Sequence, residues 1–356
     1  MGPAAGARPA PPGPGPGPAD PARRRPRLAQ PGRPSDRARG PGAHSHRPCQ
    51  CGPGSGGRTG PCHRPADPGG ALLQAGRRPP GDLPQRHPGQ AARIEHVLAL
   101  AAPKGKAPAR LPHIGFERFE TRRVALIVDV GAPPSPGFSD GAHAAPLAFE
   151  MSSGRDRLIV SCGAGPGLDH EWREVARSTA AHSTVTLDDQ NAWTMAVDQD
   201  LGHRPMLPAM STTASRNEAD GQVWIEASHS GYALRMGLIH RRTLWLDADG
   251  TDLRGEDRVE PRGRTSGRSL PFALRFHLSP EVRANLVGDG TGVLLRTPGG
   301  EGWQFRALGG QVALDESISI SDWGPPRRAE QIVVTGTLDA GRAVLRWGLK
   351  RVDGKH

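Results

Sequence analysis

The sequence predicts an all-β protein, a large antiparallel two-sheet β-sandwich preceded by a disordered tail. Three observations lead there. From Phe116 onward, runs of strand length rich in β-branched and aromatic residues follow one another almost without interruption. Turn formers separate them, and only one stretch, HEWREVARSTA (170–180), reads as a helix. The third observation is a sharp change of composition near Ile94.

Residues 1–94 contain 21 Pro and 18 Gly and lack Phe, Tyr and Trp. Such a segment cannot bury enough apolar surface to offset its chain entropy, so it is expected to be disordered. Runs such as PPGPGPGP and RRRPR suit a polyproline spacer or a basic arm. A GC-rich gene read out of frame yields the same mixture of Arg, Pro, Gly, Ala and His, and both readings stay open. His44, His46, Cys49, Cys51, Cys62 and His63 cluster in this tail, but their spacing is not that of paired zinc ligands around a folded turn. Residues 95–122 are expected to be a linker, and 123–350 the sandwich.

The formal net charge is +10. The tail alone holds 15 Arg and four Asp, so residues 95–356, with 31 basic and 32 acidic side chains, sum to about −1. The folded part therefore shows no footprint for nucleic acid. No stretch approaches the roughly 20 apolar residues of a membrane span. The first residues, MGPAAGARPAPPGPG, lack the apolar core of a secretory signal. Four cysteines, of which Cys162 alone lies in the body, make no disulfide framework.

Taken in order, the expected strands are RVALIVDV (123–130), LAFEM (147–151), RLIVSCG (157–163), STVTLDD (183–189) and VWIEASH (223–229). RRTLWLDADGTDLRGEDRV follows, where Asp-Gly supplies the positive φ of a tight hairpin. FALRFHL, GVLLRT, WQFRAL, SISISD, EQIVVTGTL and AVLRWGL complete the set. All seven Trp and all seven Phe fall beyond residue 115. Alternation at Leu244 and Leu246, and at Trp303 and Phe305, assigns them to a buried face.

Between Gly141 and Asp189 lie AHAAPLAFEM, then LIVSCG, then RSTAAHSTVTLDD. These resemble the C-terminal β domain of the heparinase II/III-like polysaccharide lyases, whose pattern runs approximately HxHxDxLSFEL, a strand ending in VDPG, then RSTAAHNTVxVDG. The likeness extends through GLIHRRTLWLDADGTDLRGEDRV, RFHLSP and GEGWQFRA and covers about residues 97–350. It implies a bacterial protein with a supersandwich-type β domain that acts on acidic, uronate-bearing polysaccharides by β-elimination. It also implies a periplasmic location, for which the chain as written carries no address. Family members carry a helical toroid ahead of the β domain, and the Arg/Pro/Gly tail stands in its place here.

β-Elimination needs a group that neutralises the uronate carboxylate, a base for the C5 proton and an acid for the leaving oxygen. By resemblance, His143 takes the second histidine position of HxH. With His182 and Ser161, which stands where the family has Asp, it makes up a degraded structural zinc site, since Ser is a poor zinc ligand. His143 and His182 are accordingly expected to approach each other across neighbouring strands. Gly141 and Ala145 replace the first histidine and the Asp of that motif. His182 and Tyr232, the only tyrosine, are the catalytic candidates that remain, and Arg177 could pair a uronate bidentately. The bland alternatives are histidines hydrogen-bonded within the sheets, a core-edge tyrosine and an arginine tied to Glu174. The sequence thus implies a lyase-family protein impaired or inactive as written, or alternatively a non-catalytic carbohydrate-binding or structural β module.

Overall fold

The computed structural model describes residues 108–352 apart from 135–140, 165–167, 194, 199–201, 206–209, 264–268, 289 and 321–325, together with His96, Ala99 and Leu100. The tail cluster of His and Cys lies outside the described residues. The chain begins with β1 (Arg110–Leu111), β2 (Phe116–Glu120), β3 (Val124–Asp129), β4 (Phe149–Ser153) and β5 (Asp156–Val160). Helix α1 (His170–Arg177) and a 3-10 turn (Thr179–Ala181) lead into β6 (Val185–Leu187), β7 (Met195–Asp198) and β8 (Gly202–Pro205). β9 (Thr212–Ala219), β10 (Gln222–His229), the short helix α2 (Ala233–Met236), β11 (Leu238–Leu246) and β12 (Asp252–Pro261) follow. The last seven strands are β13 (Pro271–Leu278), β14 (Arg283–Val287), β15 (Gly292–Arg296), β16 (Gly302–Leu308), β17 (Gln311–Ser319), β18 (Arg327–Thr337) and β19 (Ala343–Val352).

Pairing is antiparallel throughout. One sheet runs β1-β2-β3-β4-β5-β13-β18-β17, with β6 also paired to β13; the other runs β14-β15-β16-β19-β12-β11-β10-β9. β7 and β8 form a separate ribbon. Two large antiparallel sheets with few helices are the fold the sequence predicts.

Period-two patterning drives it. In β11 each residue from Leu238 to Leu246 alternates between buried and half-buried, so one face turns inward. The inward faces meet in an aromatic cluster drawn from both sheets. Phe149 stacks on Trp347 with centroids 5.5 Å apart, and Phe276 meets Phe305 edge-on at 4.9 Å. Such pairs add about 0.5–1.5 kcal/mol each beyond their burial. Trp303, Phe305, Leu244 and Leu246 are all buried, as the alternation predicts.

The DADG turn closes the β11–β12 hairpin. Asp247 Oδ1 accepts from the backbone N–H of Thr251 (2.7 Å) and Asp252 (3.0 Å), and Gly250 takes φ +71°. That positive φ suits the residue lacking Cβ. Helix α1 is capped by Asp169, whose side chain accepts from Trp172 N, and it ends at Arg177 rather than at residue 180.

The expected linker, residues 95–122, differs from the structure. Its C-terminal half forms β1 and β2 at the edge of the first sheet, with Phe116 and Phe119 buried. FERFE reads poorly as a strand because Glu117 and Arg118 interrupt its apolar residues, yet both are buried with ion partners, Arg110 and Glu120 respectively.

Candidate functional site

The loop carrying His143 and the turn carrying His182 are held together by backbone contacts. Ala144 N donates to Arg177 O (2.8 Å), and Thr179 Oγ1 donates to Ala144 O (2.6 Å). Thr184 Oγ1 adds a bond to Pro146 O at 2.8 Å. The STAAHST run is therefore polar for a structural reason: its hydroxyls satisfy carbonyls of the neighbouring loop that no strand pairs. Ser183 Oγ reaches Val160 O (2.8 Å) and accepts from His277 N (3.0 Å), which ties the same turn to β5 and β13.

This stitching brings His143 Nδ1 to 3.2 Å from His182 Nε2, with the two rings edge to face. They meet from a loop and a 3-10 turn, not across neighbouring strands as the sequence suggested. His143 is half-buried and His182 buried. Burial first, then the charges of His143 and His277, hold His182 well below the ordinary imidazole range, so it is neutral at pH 7. In the neutral form one ring nitrogen of His182 is a donor and the other an acceptor, which suits it to hydrogen-bonding with half-buried His143.

A structural zinc fits this set poorly. The 3.2 Å separation would suit two imidazoles sharing one ion with bonds of about 2.0–2.1 Å. A tetrahedral site needs further ligands, and among the described residues no three His, Cys, Asp or Glu side chains are grouped to hold a metal. Ser161 offers a hydroxyl where a carboxylate would be required. Its backbone N–H donates to Glu150 Oε1 at 3.3 Å.

The other two candidates are turned into the interior. Tyr232 is fully buried, donates its hydroxyl to Val185 O (2.8 Å), and is pushed well above the usual phenol range by that burial. It stands at the N-terminal end of α2 in the core rather than at its edge. Arg177 is turned into the protein at the last turn of α1, where a cation is favoured by the helix dipole.

Beneath the histidine pair run two buried polar chains that the sequence reading did not anticipate. In one, Gly231 N–H donates to His229 Nδ1 (3.1 Å), which leaves His229 Nε2 to donate to His240 Nδ1 (3.0 Å) and His240 Nε2 to Asp257 Oδ1 (2.7 Å). Arg242 and Trp347 complete the environment of Asp257. The signal was present in LIHRRTLWL, where period two places His240 and Arg242 on the same face as Leu238, Leu244 and Leu246. In the other chain, His277 Nε2 donates to Ala180 O (2.9 Å) while Nδ1 accepts from Ser317 Oγ (2.8 Å), with Cys162 Sγ at 3.5 Å. Burial pushes the Cys162 thiol up to about 11 and His277 down to about 4, so this Cys–His pair is neutral and not a thiolate nucleophile.

Two large antiparallel sheets, with an imidazole pair on the loop and turn that connect their strands, define a β-sandwich. The chain belongs to the heparinase II/III-like family: its C-terminal domain model matches residues 103–348. FtsZ-localized protein C of Caulobacter vibrioides is 34% identical over 291 residues, 77% of this chain. The chain spans 49% of that relative's length. Among solved structures, heparan sulfate lyase HepC of Pedobacter heparinus superposes with TM-score 0.57 at 16% identity, covering 75% of this chain and 41% of its own. A heparinase III gene product does so with TM-score 0.55 at 16% identity, covering 73% and 39%. At those identities the likeness establishes the fold. Among the described residues, no helix is long and apolar enough to cross a membrane.

Proposed function

We propose that this chain supplies a glycan-engaging β domain that meets acidic, uronate-bearing polysaccharide at His143 and His182, with β-elimination impaired. The carrying observation is the 3.2 Å imidazole pair, with half-buried His143 outermost and His182 buried behind it, in a chain of this family. Impairment is supported by three positions. Gly141 and Ala145 lack the side chains the family pattern has there, and Tyr232 is buried with its hydroxyl committed to Val185 O. A missing acid/base group typically costs about 10² to 10⁴ in rate. The unit concerned is the sandwich, and residues 1–94 are taken to contribute no glycan contact, in keeping with their composition.

Ultraviolet absorbance of unsaturated uronate, followed on heparan sulfate and alginate, tests the reading together with direct binding of the same polymers. Binding that weakens in His143→Ala and His182→Ala, without turnover, is the expected result. Turnover that survives His182→Ala would overturn it. A second reading, a non-catalytic module that carries its protein to FtsZ, is favoured by the name of the Caulobacter relative. Co-pelleting with FtsZ polymers, unaffected by His182→Ala, would support that alternative.

A further inference from the structure

The outward face of the second sheet carries a straight row of side chains across five strands. Cross-strand pairing sets Trp224 opposite Trp245, Trp245 opposite Arg254, Arg254 opposite Gly348, and Gly348 opposite Arg306. At a strand spacing of about 4.8 Å the row is about 19 Å long. The two indoles are half-buried with centroids 6.4 Å apart, and the Arg254 guanidinium lies 4.8 Å over Trp245. Nothing in the core requires them there, since the inward face of β11 is already filled by Leu244 and Leu246.

Gly348 forms a bare floor in this row. A Cβ there would meet only Leu253 O, at 3.8 Å, so the space above it is open. Four cations border that space: Arg254 and Arg306 on the flanking strands, and Arg346 and Lys350 two residues away on β19 itself. Arg254 is paired with Asp252 (2.7 Å) and Arg346 with Glu256 (2.8 Å). Arg306 and Lys350 are exposed and make no ion pair among the described residues. A fold whose residues 95–356 are nearly neutral thus gathers unneutralised positive charge beside an aromatic shelf.

We infer that this row binds an acidic oligosaccharide, with a sugar ring resting on Trp224 against the edge of Trp245, whose face Arg254 covers, and a carboxylate or sulfate held over Gly348 by Arg306 and Lys350. Aromatic faces cover the apolar side of a flat ring, and guanidinium and ammonium groups bond an oxyanion with charge assistance. Asp252 and Glu256, set among the cations, argue against a phosphodiester backbone, whose charges follow one another closely. A saccharide with spaced acidic groups can avoid them. The ligand class rests on the acidic-glycan reading above; the position of the site does not, because it lies on the outer face of a sheet and shares no residue with the histidine pair.

The test is fluorescence anisotropy of a labelled heparan sulfate hexasaccharide with the full chain. Arg306→Ala with Lys350→Ala, Trp245→Ala, and Gly348→Leu, which fills the open floor, should each weaken binding about ten- to a hundredfold, the range expected for losing charged hydrogen bonds. Circular dichroism and thermal unfolding of these variants should match the parent, since all four positions face outward. His182→Ala should remove only the share of binding that the histidine pair carries, and the row variants made in that background should weaken what remains. If His182→Ala abolishes it while the row variants do not, the histidine reading stands and the present inference falls. No binding by the parent chain would remove both. A single-stranded oligonucleotide competing as well as the hexasaccharide would overturn the assignment to glycan.

Discussion

Arg242 and Asp257 form a two-point ion pair inside the sandwich, Nε to Oδ1 at 2.7 Å and Nη2 to Oδ2 at 3.1 Å, with both side chains out of contact with solvent. The remaining donor of Arg242, Nη1, reaches across to the carbonyl oxygens of Leu147 (2.6 Å) and Ser183 (2.8 Å). Those two residues sit beside the segments bearing His143 and His182. One guanidinium on the second sheet therefore fixes the loop and the turn that make the candidate site, and it meets Leu147 at an unusual positive φ of 59°.

Removing one partner of such a pair leaves a buried charge unmatched. Arg242→Met and Asp257→Leu should each cost about 3–5 kcal/mol, whereas the double variant should recover much of that loss. Urea unfolding midpoints of the three proteins check it. Equal destabilisation by the double variant and the sum of the singles would show that the two do not act as a pair.

This ion pair also shows how much the chain discloses by pattern alone. Alternation in β11 announces a buried face on which His240 and Arg242 must find partners, and the DADG hairpin fixes the register that brings Asp257 opposite Arg242. The partners on Leu147 and Ser183 are backbone carbonyls, which leave no mark in side-chain pattern. β9, TTASRNEA, was illegible for another reason: it is an edge strand whose side chains are mostly polar and exposed, so no apolar period marks it. His143 and His182 could be matched to a family motif, but their meeting depends on hydroxyl-to-carbonyl bonds from Thr179 and Thr184 that no spacing rule encodes.

Stability should fall as pH drops from about 6.5 towards 4. Burial holds His182, His229, His240 and His277 below the ordinary imidazole value, His277 at about 4, so the unfolded chain binds protons that the folded chain does not. Each such group adds stability above its unfolded pKa and loses it as pH falls towards its folded one, with a slope of about 1.4 kcal/mol per pH unit. Asp257 pulls the same way at lower pH. Burial alone would raise it, but the Arg242 charge and the bonds from His240 and Arg242 hold it well below the usual carboxylate range. Unfolding midpoints measured between pH 7.5 and 4.5 (values chosen to span that window) should decline steadily, and His277→Gln should flatten the decline by about one proton's slope. A midpoint independent of pH across that window would contradict the burial of these imidazoles.

Cys162 should resist alkylation in the folded protein. Its thiol is buried between His277 and Ser317 and pushed up to about 11, so both access and thiolate fraction are low near neutral pH. Peptide mapping after iodoacetamide treatment at pH 8 (about half a unit below an ordinary thiol) should find Cys162 unmodified until denaturant is added. Rapid labelling in the native state would mean that the strands covering it open readily.

Gly141→His restores the first histidine of the family pattern and separates missing space from missing chemistry. A Cβ on Gly141 would meet nothing within 4 Å among the described residues, and the position is exposed, so the substitution should change stability by less than about 0.5 kcal/mol. It should nevertheless leave uronate β-elimination undetectable, because an added imidazole supplies neither the carboxylate lost at Ala145 nor a phenol, Tyr232 being sealed in the core with its hydroxyl on Val185 O. Unsaturated uronate absorbance on heparan sulfate reads the outcome. Turnover in Gly141→His would mean that one imidazole beside His143 and His182 was the sole missing group, and that the impairment lies in that single position.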